Sequence, residues 1–279
     1  MVCTTIKKMH GQNFLFNQPL AIDSNYLMSL LPSLFLNFKN NSFQSNFETE
    51  KQFATKLQDQ MSINQSSGAT QYPLVFNIVG PIVKYTNWNF VGTQTMIKML
   101  ERIDADPNIS GVVFNHDSGG GMVSGTAEFA DFIAKMQKPT ISWTNDMQCS
   151  ASQWIASACD YNMAGPFASA IGSIGTFMSF QDFSAMFEKW GAKIYEVYAQ
   201  QSTEKNFAFR ELMKGNEEAY QERLNQITAD FISTIQNNYG DTLKDDSHVF
   251  KGKTYTAQEA LEIGLVQEIG SLNDALTKF

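Results

Sequence analysis

The pattern of apolar and polar positions changes character at Pro73. Residues 1–70 are rich in Asn, Gln and Ser and carry one apolar helical patch, at about Ser24–Phe38, with Asp23 or Ser24 standing where an N-cap is needed. The run Asn64–Gln71 (NQSSGATQ) has the composition of a linker. The chain therefore divides into an N-terminal arm and linker, 1–70, and a folded domain, 71–279. From Pro73 the segment PLVFNIVGPIV reads as a strand broken at Gly80-Pro81. Thr93–Asp104 then sets Met96, Ile97, Leu100 and Ile103 on one face of a helix. SGVVFN is a short, continuously apolar strand of the kind buried in parallel sheets, and it runs into DSGGG. A helix over Thr126–Gln137 stops at Lys138-Pro139, and PTISWTN supplies the next strand. Another helix begins near Ser150, strand-like segments recur at Tyr161–Ala164 and Ile194–Tyr198, and Glu217–Gln236 places Leu224, Ile227, Phe231 and Ile235 at helical spacing. Strands alternating with helices in this way predict βαβ units and a largely parallel sheet, an α/β fold.

Composition narrows the function classes. Of the 279 residues, 43% are hydrophobic and 17% charged, which suits a packed globular chain and excludes global disorder. The net charge is −8 with no Lys/Arg cluster, so nucleic acid is not an expected partner. The most apolar N-terminal run, Tyr26–Phe38, is too short to span a bilayer and is interrupted by Pro32; it also lacks the basic lead and cleavage site of a secretory signal. The cysteines, Cys3, Cys149 and Cys159, match no zinc or CxxC spacing and read as reduced thiols of a cytoplasmic protein. His10, His116 and His248 are too scattered for a metal site, and neither metal nor cofactor is expected.

Two small-residue turns each follow a strand and precede a helix. In Asp117–Gly121 (DSGGG), consecutive glycines permit positive φ and leave backbone N–H groups open to a ligand, which is what an oxyanion hole requires. In Gln148–Ser152 (QCSAS), a serine at the strand-to-helix junction is either a nucleophile or an ordinary N-cap.

In combination these residues resemble a known family. DPNISGVVFNHDSGGG, KPTISW, CSASQWIASACD, GSIGTF and Lys251–Leu276 (KGKTYTAQEALEIGLVQEIGSLNDAL) occur in the order found in the signal peptide peptidase A family of serine proteases, most of all its phage head-maturation branch. The resemblance runs from Leu74 to Leu276, and the arm's PLAIDSNYLMSLL is similar to the lead of the phage branch. It implies a Clp-protease/crotonase-like fold of repeated ββα units and a Ser–Lys dyad. S-A-S-Q-W-I-A matches the nucleophile pattern with Ser150 as the attacking residue, and the backbone N–H groups of Gly120 or Gly121 and of Ala151 as oxyanion donors. Ser173, in GSIG, matches a serine that orients the lysine amine. Gln153 stands where an aromatic is usual and Gly119 where proline is usual.

The base is the open position. A lysine serves as base only when burial lowers its pKa from about 10.4 toward neutrality. Counting back from Phe209-Arg210-Glu211-Leu212, the family's lysine falls at Thr203, which cannot do this; Lys205 comes into register if the loop is two residues shorter, and Lys193 is the further alternative. His116 reads as structural, and Cys149 lies one residue too early to be the nucleophile. The resemblance implies a serine endopeptidase acting on peptide or unfolded protein, in a phage setting scaffold or capsid protein, in the host cytoplasm or virion. It also implies a homo-oligomer, a ring or bowl, with Glu217–Gln236 and the C-terminus at contacts. Substrate is expected as an extended strand added beside the glycine turn. Two rivals remain: a catalytically inactive member serving as an assembly component, supported by Thr203, and acyl-CoA chemistry on the same fold, which leaves Ser150 and GSIG unexplained.

Overall fold

A computed structural model describes residues 18–24, 26–30, 46–66, 70–87, 89–180, 182, 184–193, 195–244 and 248–279. Cys3, His10 and residues 31–38 of the expected apolar helix lie outside them. The elements, in chain order, are β1 (Leu20–Ile22), α1 (Asn46–Ser66), β2 (Tyr72–Val79), α2 (Thr93–Ala105), β3 (Ile109–Ser118), β4 (Gly120–Met122), α3 (Thr126–Ile133), β5 (Thr140–Cys149) and α4 (Ala151–Ser157). They continue with β6 (Tyr161–Ala164), β7 (Ala170–Gly172), α5 (Ser184–Lys189), α6 (Phe207–Leu212), α7 (Glu218–Tyr239), β8 (Thr254–Tyr255), α8 (Ala257–Ile263), β9 (Glu268–Ile269) and α9 (Leu272–Leu276).

The main sheet has the order β2-β3-β5-β6-β9, all neighbours parallel, with β7 pairing the end of β5 and β8 closing antiparallel on β7. The strand sequences explain their places. In β2, Tyr72, Leu74, Phe76 and Ile78 alternate inward as an edge strand requires, whereas Val112, Val113 and Phe114 of β3 are all fully buried because a central parallel strand has helices on both faces. On one face Phe76 and Phe114 join Met96, Leu100 and Ile103 of α2, Phe129 and Ile133 of α3, and Trp154 and Ile155 of α4 in the principal core. On the other, Val113, Ile141, Trp143 and Met163 pack under Leu272, Ala275 and Leu276 of α9. Both C-terminal helices are fixed by capping boxes, Thr256 with Glu259 and Ser271 with Asp274.

Two features depart from the sequence reading, the first and third below, and one decides between alternatives it left open. First, α1 is a long helix inside the region read as a polar arm, and it runs to Ser66, into the expected linker. Leu57 is buried, Phe53 meets Phe76 edge-on at 5.2 Å, and the Gln60 amide exchanges two hydrogen bonds with the backbone of Val75, at 3.2 and 3.3 Å, covering the open edge of β2. Second, of the two capping candidates it is Asp23 that acts, accepting from the Tyr26 N–H at 3.0 Å. Third, residues 195–198 are irregular instead of forming a strand, with 195–197 exposed, Val197 to 95%, and Tyr198 half-buried. Alternating β-formers become a strand only beside a partner edge, and no strand edge is paired with this segment.

Trp154 and Phe231 stack at 4.3 Å with their rings 7° from parallel, and this contact locks α4, which follows Ser150, to α7. Phe231 is fully buried. Phe231→Ala is expected to lower the unfolding free energy by about 3–5 kcal/mol in urea denaturation, and Phe231→Leu by clearly less, because the cavity term dominates.

Candidate active site

Ser150 lies where β5 gives way to α4, and its backbone is forced into φ 56°, ψ −114°. A non-glycine residue there is strained by about 1–3 kcal/mol, so the neighbours must hold it. They do so from both sides. The Ser150 N–H donates to the Gly172 carbonyl at 2.7 Å, and the Ser150 carbonyl accepts from Trp154 N–H at 2.9 Å. The side chain is not free to drift: the residue is 1% exposed and Oγ donates to the Gly175 carbonyl at 3.3 Å. The register of β5 with β7, Cys149 opposite Gly172, brings the next residue, Ser173, beside Ser150. Ser173 is also left-handed, at φ 53°, and its N–H donates to the Lys253 carbonyl at 2.8 Å.

The glycine turn forms the facing wall. Gly120 has φ 102°, and a Cβ there would meet the Ala21 oxygen at 2.2 Å and the Cys149 oxygen at 3.0 Å, so only glycine fits. Its N–H donates to Ser118 Oγ at 3.1 Å, and that hydroxyl donates to the Gly80 carbonyl at 2.6 Å. The Gly120 amide is thus used within the turn. The Gly120 carbonyl and the Met122 N–H both bond Ile82, at 2.9 Å each, so by strand alternation the Gly121 N–H faces the opposite way, toward β1. Of the two expected glycine donors, Gly121 is the one not used within the turn; its N–H faces Ala21, its partner in the β1–β4 ladder. Ala151 opens α4, where an N–H has no intrahelical acceptor. Ser150, Ser173, Gly120, Gly121 and Ala151 therefore come together at adjoining turns.

Lys205 does not join them in the single chain. It lies on an exposed turn before α6, beside Tyr198 and Asn206, with its N–H donating to the Ser202 carbonyl at 3.2 Å. Thr203 is exposed on the same turn, its carbonyl accepting from Arg210, and Lys193 is exposed further back.

Beneath the Ser150 turn is a buried polar chain. Gln148 Nε2 donates to Gln153 Oε1 at 3.1 Å, Gln153 Nε2 donates to the Tyr239 hydroxyl at 2.7 Å, and that hydroxyl donates to the Leu265 carbonyl at 2.9 Å. Gln153, which departs from the family's aromatic, thereby ties the start of α4 to the end of α7. The sequence signal was an amide side chain directly before the apolar stretch Trp154–Ala156; nothing in it named Tyr239 as the partner. His116 is fully buried, with Nδ1 2.8 Å from Ser152 Oγ and Nε2 unpartnered. Burial holds its pKa down at about 3, so the ring is neutral. Cys149 Sγ donates to the Ala170 carbonyl at 3.2 Å, and burial first, then Asp23, pushes the thiol up to about 12. A protonated, enclosed thiol is no nucleophile, which supports the structural reading of Cys149. Among the described residues no group of three His, Cys, Asp or Glu side chains could hold a metal ion, and no helix is long and apolar enough to cross a membrane.

Comparison with known proteins gives this arrangement a context. The family model described as peptidase family S49 matches residues 133–279. The chain is 30% identical over 188 residues to the capsid assembly protease C of Escherichia phage lambda, covering 67% of this chain and 42% of that one. It is 28% identical over 192 residues to the head–tail preconnector protein GP5 of Enterobacteria phage P21, covering 67% of this chain and 37% of that one. The chain thus spans less than half the length of either relative. Among solved structures, a 1510-N membrane-bound stomatin-specific protease superposes with a TM-score of 0.51 at 17% identity, over 75% of this chain and 85% of that chain. The fold is of the expected Clp-protease/crotonase-like class.

The neutral His116 has a consequence for stability. Its folded pKa lies below the unfolded value of about 6.5, so the unfolded chain binds the proton first and stability is lost as pH falls from about 6.5 toward 3. Relative to His116→Gln, the parent chain is expected to lose roughly 1.4 kcal/mol per pH unit in that window. Parallel denaturation midpoints for the two proteins between pH 6.5 and 4.5 would contradict this.

Proposed function

The chain belongs to peptidase family S49, and on that premise we propose that it is a serine endopeptidase whose nucleophile is Ser150. The observation that carries the reading is the left-handed Ser150 at the β5–α4 junction, held between the Gly172 carbonyl and the first turn of α4, with the glycine turn opposite. Such a turn presents Oγ ahead of a helix whose leading N–H groups are unpaired. Attack of Ser150 Oγ on a peptide carbonyl would put the developing oxyanion between the Gly121 and Ala151 N–H groups, and the hydroxyl proton passes to a base and then to the leaving amine. Water then hydrolyses the acyl-enzyme.

Lys205 is the base in this reading, with Ser173 orienting its amine. An amine accepts a proton only in its neutral form, and desolvation favours that form. The segment from α5 to α6 exposes Phe187, Trp190, Tyr195, Val197 and Phe209, an apolar surface suited to covering by further copies of the chain. A homo-oligomer, ring or bowl, would enclose the segment that carries Lys205. The names of the two phage relatives support scaffold or capsid protein as substrate, and host cytoplasm or virion as the setting. A second reading is an inactive assembly component; it is favoured by Thr203 at the expected lysine position and by the exposure of Lys205.

Purified protein is expected to cleave unfolded casein at pH 7–9, and Ser150→Ala to reduce the rate by roughly 10³-fold or more, with oligomeric state unchanged. Lys205→Ala should fall as far. Loss in Ser150→Ala alone moves the base elsewhere. No cleavage by the parent, followed by gain of cleavage in Thr203→Lys, would establish the inactive reading.

A further inference from the structure

The groove between the glycine turn and the Ser173 turn is filled by the chain itself. Leu20, Ala21 and Ile22 of β1 are buried to 0, 0 and 4% exposure. The strand runs antiparallel to β4 with Leu20 opposite Met122, Ala21 opposite Gly121 and Ile22 opposite Gly120. Along that wall Asp23 N–H donates to the Gly119 carbonyl at 2.7 Å and Val123 N–H donates to the Pro19 carbonyl at 3.3 Å. Along the other, Leu20 exchanges two bonds with Phe177, its N–H donating at 2.9 Å and its carbonyl accepting at 3.0 Å. Phe177 ends the same GSIGTF turn whose Gly175 carbonyl accepts the Ser150 hydroxyl. The Ala21 oxygen is the atom that a Cβ on Gly120 would strike, and the Cys149 oxygen, one residue before Ser150, is the next. Tyr26 then closes the end, its ring lying where a Cβ on Gly119 would be at 2.3 Å.

Main-chain bonding on both sides of a segment, here with the small and fully buried Ala21 at its middle, is how an extended peptide is held by strand addition. We infer that Pro19–Asp23 is a peptide bound in cis in the substrate groove. It excludes peptides in trans until displaced, and Ala21 marks a subsite that accepts only a small side chain. Being tethered, the segment competes at a high effective concentration without needing high intrinsic affinity. Displacement exchanges one set of backbone bonds for another and lifts Leu20 and Ile22 from their contact with Leu27 and Phe177, contacts that an incoming apolar peptide replaces. The inference deepens the peptidase reading by naming what the groove selects, and it rests on that reading for the groove's role.

The test is made on the full chain carrying Ser150→Ala, so that binding is read without turnover. The probe is a fluorescently labelled peptide of residues 18–23, Gln-Pro-Leu-Ala-Ile-Asp, followed by polarisation. Adding Ala21→Arg, whose long charged side chain replaces a fully buried alanine, is expected to tighten peptide binding at least tenfold. A peptide with Trp in place of its Ala should bind the same protein at least tenfold more weakly. Should Ala21→Arg not fold, hydrogen exchange on the unmutated arm gives the answer: excess peptide should speed exchange at the Leu20 and Asp23 amides and leave Val123 and Phe177 protected. Equal affinity with and without Ala21→Arg, absence of binding to either, or unchanged exchange at Leu20 and Asp23 would overturn the inference. A chain that binds peptide this way yet cleaves nothing with Ser150 intact sustains the inference and refutes the peptidase reading. Cleavage together with equal affinities refutes the inference alone.

Discussion

The hydrogen bond from Ser150 N–H to the Gly172 carbonyl, 2.7 Å long, is the constraint on which the rest of the site depends. It is the last rung of the β5–β7 ladder, and it fixes the residue after the strand in a conformation that an isolated serine avoids. The strain of Ser150 is met by the two buried parallel strands behind it and by α4 in front, whose Trp154 is stacked on Phe231. Because the rung joins β5 to the turn that contains Ser173 and Gly175, one bond sets the position of both serines. Were it lost, Ser150 would relax and the Gly172–Phe177 turn, one wall of the groove, would move with it.

The buried polar atoms beneath this junction follow from the same geometry. A helix beginning with Ala151-Ser152-Gln153 directly behind the strained Ser150 turn puts small and polar side chains into the core, and each polar one must find a partner there. Ser152 finds His116, and Gln153 finds Gln148 and Tyr239. The unpartnered Nε2 of His116 and Oε1 of Gln148 are what this packing leaves over. His116 is bonded to Ser152, whereas the Ser150 hydroxyl donates to the Gly175 carbonyl, so a Ser150–His116 pair has no support in the geometry.

What the sequence made legible was whatever local pattern determines. A continuous apolar run marks β3, a short segment of β-forming residues after Pro139 marks β5, and helical spacing marks α2 and α7. The motif order identified Ser150 and the two turns around it. The helix α1 escaped notice because its inward face is thin: Phe53, Leu57 and Met61 among Gln, Lys and Asp make a weak stripe, and what orders the helix is the open edge of β2. The arm's β1 escaped for a related reason. Three residues have no periodicity to read, and their strand character comes entirely from the two walls between which they lie. Pairing partners far apart in the chain, such as Gln153 with Tyr239, are invisible to any local pattern.

The segment between α5 and α6 is where local pattern and single-chain structure disagree most. Ser184–Lys189 and Phe207–Leu212 are six-residue helices with no buried residue, far shorter than a helix that stands by itself in water. Their large apolar side chains, from Phe187 to Phe209, gain little from the contacts the chain provides, and the arginine of the family-like Phe-Arg-Glu-Leu run is spent on Thr203 and Tyr198 within the same loop. Hydrophobic area of this kind is stabilised only when another surface removes it from water. The lysine expected to act on Ser150 lies in the same stretch and needs removal from water for its chemistry. One event, the covering of this segment by a neighbouring copy, would meet both requirements, and under the proposed reading it would couple assembly to arming of Ser150.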